Sequence, residues 1–165
     1  MVIVKSGHRI CGSGAALATS PIHQDKAYFE VKVQQASPTF GVGLASSLVD
    51  LNRVPLGEDS RSWVLRSDGG VYHNGSCLFS LPSDSHPGIR EGDVIGVAFD
   101  HLSLRFLING VDCGCAVSGV RQVEESGVFP VLYVDDGAIL DAAFQGFSFD
   151  PPPGFSRILV EQSLL

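Results

Sequence analysis

Basic residues are scarce in this chain of 165 residues: three lysines and eight arginines stand against 18 carboxylates, for a formal charge of −7. They form no cluster, so the electrostatic footing for a nucleic-acid backbone or an anionic membrane surface is missing. Long apolar runs are missing too. None approaches the roughly 18 to 20 residues of a membrane span, and the opening M-V-I-V-K-S-G-H lacks the basic start and apolar core of a secretory signal. A cytoplasmic protein with neither nucleic acid nor membrane among its partners is expected. Cysteine is limited to Cys11, Cys77, Cys113 and Cys115, which follow no disulfide-framework spacing and read as free thiols. Helical periodicity never extends beyond about two turns, and no linker, charge run or repeat divides the chain. A single domain over residues 1–165 follows, because the length suffices for one well-buried core and not for two.

Glycine and proline are plentiful instead. The 19 Gly and 9 Pro break the sequence into short segments rich in Val, Ile, Leu and Phe, the rhythm of an all-β sandwich or barrel. Residues 91–117 are the most explicit stretch. After a β-rich apolar run at 93–99, Leu102, Leu104, Phe106 and Ile108 share one face at period two, with Ser103, Arg105 and Asn109 on the other. Asn109-Gly110 supplies the two positive-φ residues of a type I′ turn, predicting a return over 111–117. On that strand Cys113 and Cys115 share a face, with Cα atoms about 6.6 Å apart.

Elsewhere, residues 2–5 and 8–11 form an opening hairpin around Ser6-Gly7 and 15–18 a short strand. Residues 27–34 alternate, turning Phe29, Val31 and Val33 to the core and Tyr28, Glu30, Lys32 and Gln34 away from it. In the next strand, 40–45, Gly41 and Gly43 point to close backbone approach or a bulky neighbour. Residues 46–60 hold no strand, and so long a loop is a functional candidate. Strands are expected at 62–66, 71–73 and 77–81, with Trp63 and Tyr72 inside, followed by a loop at 82–91. Residues 128–134 and 138–144 are expected to pair as a hairpin across Asp135-Asp136-Gly137, and prolines 151–153 to stiffen a C-terminal strap.

Read in order, Y-F-E-V from Tyr28, G-V-G-L-A from Gly41, S-W-V-L-R-S-D-G from Ser62, Y-H-N-G from Tyr72, G-D-V-I-G-V from Gly92, L-R-F-L-I-N-G from Leu104 and V-F-P-V from Val128 resemble the SPRY domain, the core of the B30.2 module. The resemblance implies an all-β fold: a bent sandwich of two antiparallel sheets, concanavalin-like in its jelly-roll architecture, with almost no helix. It also implies a non-catalytic protein–protein interaction module that binds a partner protein or peptide through loops at one end of the sandwich. By position, the binding segments are Ser37, Pro38 and Thr39; Leu51, Asn52, Arg53, Val54 and Pro55 of the long loop; and Tyr133, Asp135 and Asp136 of the last turn. Acidic ligands fall outside this expectation, because Asp135 or Asp136 stands where the best-known peptide-binding relatives carry an aromatic. A further N-terminal strand usual in the family has no counterpart here, so a monomer or a weak homodimer through an open sheet edge is expected.

The residues themselves support parts of this picture. Arg53 combines a planar five-donor head with apolar neighbours, a mix suited to an interface anchor. Asp before Gly is also ordinary turn chemistry. No catalytic, metal or cofactor residues are expected. His23-x-Asp25 and Cys113-x-Cys115 each offer at most half of a four-ligand zinc set. Gly41-Val42-Gly43 lacks the third glycine and the helix of a dinucleotide fingerprint. Cys77 and His73 lie on strands, where cysteines are usually packing residues. The rival from another class is a lectin-like domain binding carbohydrate or a small ligand, since lectin jelly rolls share the architecture and use acidic loops beside aromatics. Only Tyr133 meets that description.

Overall fold

The computed structural model describes residues 2–5, 7–81, 88–120 and 127–164. Strands dominate, and no α-helix occurs among the described residues. One sheet has the order β1 (Val2–Val4), β2 (Arg9–Cys11), β13 (Ile139–Ala143), β4 (Ala27–Gln35), β9 (Val94–Phe99), β10 (Ser103–Ile108) and β11 (Val111–Ser118), with β14 (Ser156–Arg157) running parallel to β4. The other has the order β3 (Gly14–Leu17), β12 (Val128–Val134), β5 (Phe40–Ser46), β6 (Ser62–Arg66), β7 (Gly70–His73) and β8 (Ser76–Ser80). Apart from β14, all the pairings are antiparallel, so the chain forms the expected two-sheet sandwich.

Period-two patterning builds the space between the sheets. Phe29, Val31 and Val33 of β4 meet Phe40, Val42 and Leu44 of β5, Leu132 and Val134 of β12, and Leu104 and Phe106 of β10, each 1% exposed or less. Full burial of such a side chain stabilises the fold by about 1.5–3 kcal/mol. Both glycines of β5 have a packing reason. A Cβ on Gly43 would strike the backbone of Trp63 and Val64, and one on Gly41 would strike the Tyr133 ring. The Asn109-Gly110 turn has φ of 51° and 82°, as a type I′ hairpin requires.

Several expectations are corrected. Residues 128–134 and 138–144 do not pair with each other: β12 lies between β3 and β5 in one sheet, and β13 lies between β2 and β4 in the other. Both ladder sides of β12 are occupied, so the returning chain crosses to the facing sheet. Leu102 is 79% exposed, because the strand begins one residue later, after His101 turns at φ 68°. Tyr28 and Glu30, on the side of β4 expected to face outward, are 1% and 2% exposed. The chain from residue 147 onward, which leads into the C-terminal strap, lies over them. Phe147 packs edge-on against Tyr28 at 4.8 Å, and the Ser148 and Phe149 N–H groups donate to the Glu30 carboxylate at 2.8 and 3.0 Å. Tyr28 Oη donates to the same group at 2.9 Å.

Cys113 and Cys115 do not follow strand spacing. The β10–β11 register breaks between Arg105 and Leu107, leaving Phe106 opposite residues 113–115, with Gly114 at φ 83°. Tyr72 is half-buried on the outer face of its sheet rather than inside. Of the expected turn and loop at Ser6 and 82–91, Ser6 and residues 82–87 lie outside the described residues.

Candidate partner-binding rim

Residues 12–13, 36–39 and 135–138 are among the connections that switch sheets at one end of the sandwich. They lie side by side because β2, β13 and β4 in one sheet follow the same order as β3, β12 and β5 in the other. Polar groups then knit two of them together. Ser37 Oγ donates to the Asp135 carbonyl at 2.8 Å, the Asp135 N–H to the Thr39 carbonyl at 2.9 Å, and Thr39 Oγ1 to Asp136 Oδ2 at 3.3 Å. Gln35 Nε2 donates to the Gly137 carbonyl at 2.6 Å. Asp136 and Gly137 have φ of 53° and 89°, and the Ala138 N–H closes the turn on the Asp135 carbonyl at 3.1 Å. Asp136 is exposed, while Asp135 is half-buried with its Oδ1 accepting the Asp136 N–H at 2.9 Å. Pro38 is exposed, its carbonyl held by Ser67 Oγ at 2.6 Å.

The long loop between β5 and β6 folds over the outer face of its sheet. Val49, Leu51, Val54 and Leu56 pack with Ala45, Val64, Val131 and Tyr133 in a second apolar cluster. Asn52 and Arg53 stand exposed at its surface, above a turn in which Asp50 Oδ1 accepts the Asn52 N–H at 3.0 Å. Pro55, half-buried, follows a cis peptide bond. The structure thus joins the segments at 37–39 and 135–136 by direct hydrogen bonds, and brings the 51–55 segment onto Tyr133, two residues before that turn. Tyr133 itself is 1% exposed. It backs the loop and presents no surface to a partner. Burial pushes its phenol pKa up.

Arg66, which the sequence reading passed over, braces the loop. Its Nε and Nη2 donate to the Leu56 carbonyl at 3.0 and 2.8 Å, and Nη2 also reaches Glu58 Oε1 at 2.7 Å. The guanidinium lies 3.9 Å from the centre of the Tyr72 ring. Tyr72 Oη donates to Asp68 Oδ2 at 2.5 Å, and that bond, with burial, pushes its phenol pKa up to about 12. A signal was present in sequence: an arginine at a strand end, immediately before the polar turn S-D-G-G.

The long loop, the β6–β7 turn and the Asp135-Asp136 turn together carry six carboxylates, Asp50, Glu58, Asp59, Asp68, Asp135 and Asp136, against Arg53, Arg61 and Arg66. The surface is therefore acidic. The dent lined by Asp50, Arg53, Pro55 and Leu56 has a volume of about 10 Å³, at the lower limit for one water. Elsewhere, His73 stacks on Trp63 at 4.6 Å and bonds the Ser62 carbonyl, while Cys77 Sγ contacts the Phe79 carbonyl, so the two make no thiol–imidazole pair. Among the described residues, no group of three or more His, Cys, Asp or Glu is placed to hold a metal, and no helix is long and apolar enough to cross a membrane.

The SPRY domain family matches this chain over residues 26–147. The chain is 48% identical over 164 residues to SPRY domain-containing protein 7 of Homo sapiens and of Mus musculus, covering 99% of this chain and 80% of each relative. Its identity to the Gallus gallus protein is 47% over the same coverage. In structure it is similar to the SPRY domain of human HERC1, with a TM-score of 0.67 and 18% sequence identity, covering 88% of this chain and 93% of that one. That last likeness is one of fold. With the family matched over most of this chain and the curated relatives aligned over 99% of it, the chain belongs to the SPRY domain family.

Proposed function

We propose that this SPRY domain binds a partner protein, without chemistry on it, through the rim formed by residues 37–39, 51–55 and 135–136. SPRY domains are in general non-catalytic protein-interaction modules. The observation that carries the proposal is the hydrogen-bonded junction of Ser37, Thr39, Asp135 and Asp136, which fixes two loops before any partner arrives. A partner segment then loses ordering entropy mainly on its own side of the contact. Arg53 supplies an exposed anchor, and Asp135 and Asp136 favour a basic or amide-rich ligand by repelling acidic ones. Four free cysteines support a reducing, cytoplasmic setting. The edge strands β1, β3, β8 and β11 each form a ladder on one side only among the described residues, which supports weak self-association through an edge.

The test pairs Asp135→Asn with Asp136→Asn, removing charge while keeping a residue type that tolerates the positive φ of the turn. Affinity capture from cytosolic extract, identified by mass spectrometry, should recover a partner with the unaltered chain and lose it with this variant and with Arg53→Ala. Melting should stay unchanged in both. Full capture by both variants would remove the rim assignment, and calcium-dependent glycan binding would favour the lectin-like reading instead.

A further inference from the structure

The end of the sandwich remote from the Asp136 turn carries a polar cavity of about 410 Å³. β13 runs from Ile139 beside the turn to Ala143, and Phe144 beyond it lines the cavity with His8 of the β1–β2 turn and a C-terminal segment starting at Arg157. The backbone of that segment is fixed. Gln24 Nε2 donates to the Arg157 carbonyl at 2.9 Å, and Gln24 Oε1 accepts the Leu159 N–H at 2.8 Å. Ile158 and Gln162 are each 3% exposed, the first in the core and the second exchanging hydrogen bonds of 2.9 and 2.8 Å with the Ser20 backbone.

The side chains between these anchors are not engaged. The Arg157 guanidinium and the Glu161 carboxylate are exposed and make no ion pair or hydrogen bond with any described residue. Leu159 and Val160 are 66% and 50% exposed, two consecutive large apolar side chains on a rigid frame. His8 uses Nδ1 on the Lys5 carbonyl at 3.1 Å, leaving its other ring nitrogen for a ligand. The neighbouring Asp141 is already neutralised by Arg9 at 2.6 Å and Lys5 at 3.8 Å.

We infer that this far-end cavity binds an extended segment of a partner protein in which an Asp or Glu stands next to a large apolar residue. The carboxylate accepts the Arg157 fork, a geometry that suits a planar two-oxygen anion. The apolar side chain covers Leu159, which lines the cavity, and Glu161 accepts a backbone N–H of the segment. A lone free guanidinium beside a carboxylate is too little cation for a nucleic-acid backbone. The charge preference is opposite to that of the rim, and the site stands independently of the rim reading.

The test is an NMR titration of the whole chain, 15N-labelled, with the capped peptides acetyl-Leu-Glu-Leu-Gly-amide and acetyl-Leu-Gln-Leu-Gly-amide. The acidic peptide should give saturable amide shifts at His8, Phe144 and residues 157–162, with the glutamine peptide at least about tenfold weaker. Arg157→Gln should erase the difference between the peptides and leave the thermal midpoint unchanged, since no described residue depends on that side chain. The Asp135→Asn, Asp136→Asn variant should titrate as the unaltered chain does. Equal affinity for the two peptides, shifts confined to other residues, or no saturable shift up to about 10 mM would overturn the inference.

Discussion

Replacing Arg66 with methionine tests whether one side chain holds the long loop in place. The change keeps an unbranched apolar stem against Tyr72 but removes the guanidinium, so the Leu56 carbonyl loses both of its donors at once. Leu56 is 4% exposed, and an under-satisfied buried acceptor costs about 1–3 kcal/mol. The lost ion pair with Glu58, whose side chain is 40% exposed, adds little. A total near 2 kcal/mol, or about 30-fold in the loop's opening equilibrium, follows. Hydrogen–deuterium exchange read by mass spectrometry should show residues 51–58 exchanging about 30-fold faster; amides elsewhere whose opening leaves the loop closed should not change, and those exposed only by global unfolding should quicken by up to the same factor. Arg66→Lys, a point charge without the planar fork, should recover only part of the protection. Unchanged exchange across 51–58 in Arg66→Met would refute the brace.

Glu30→Ala strips the strap of its anchor, orphaning the Ser148 and Phe149 N–H groups and the Tyr28 hydroxyl, and should cost about 3–5 kcal/mol in urea unfolding. A loss under about 1 kcal/mol would show that water satisfies these donors. Gly43→Ala drives a methyl into the β6 backbone and should cost at least about 3 kcal/mol, against about 1–3 for Gly41→Ala, which meets the Tyr133 side chain. Thermal melts will rank the two. All three tyrosine phenols are held above the ordinary value near 10: Tyr28 and Tyr133 first by burial, Tyr72 first by its bond to Asp68, which takes it to about 12. Raised folded values mean that this stabilisation is complete below pH 10 and lost as pH climbs toward and past 12. Absorbance titration at 295 nm should therefore show no phenolate near pH 10, and Asp68→Asn should bring the first transition down.

Much of the fold was legible because it rests on local chemistry. Period-two patterning placed Phe29, Val31 and Val33 inside, and Asn-Gly fixed the β10–β11 reversal. What failed depended on where distant chain comes to rest. Tyr28 and Glu30 read as an outward face because alternation says nothing of a strap more than 100 residues away that covers them. The Asp136-Gly137 turn was recognised as a reversal, but turn chemistry does not state which sheet receives the return strand; the occupied flanks of β12 decide that. At the rim, the segments at 37–39 and 135–136 were anticipated from family position and meet directly. Tyr133 was misjudged because an aromatic before an acidic turn reads as surface until a folded loop is laid over it. Arg66 was missed for the converse reason, since its role lies in a carbonyl ten residues earlier in the chain.

If a partner binds at the proposed rim, the brace also bears on what kind of partner suits it. A dent that scarcely holds one water admits no side chain, so a partner either uses the surface as it stands or lifts the loop off Tyr133. Lifting it breaks the Arg66 contacts as well as the apolar packing on Tyr133, so the lifted state is disfavoured by at least about 30-fold and apparent affinity falls by the same factor. The surface as it stands offers Pro38, Asn52, Arg53 and Asp136, all exposed, with Leu51 and Val54 half-buried beside them. Charges so placed are screened beyond about 8 Å at physiological salt, and they act on encounter rate and partner choice more than on lifetime. Lifetime then rests on apolar contact with Leu51, Val54 and Pro38, which favours a partner that brings a flat apolar patch bordered by cations over one that inserts an anchor.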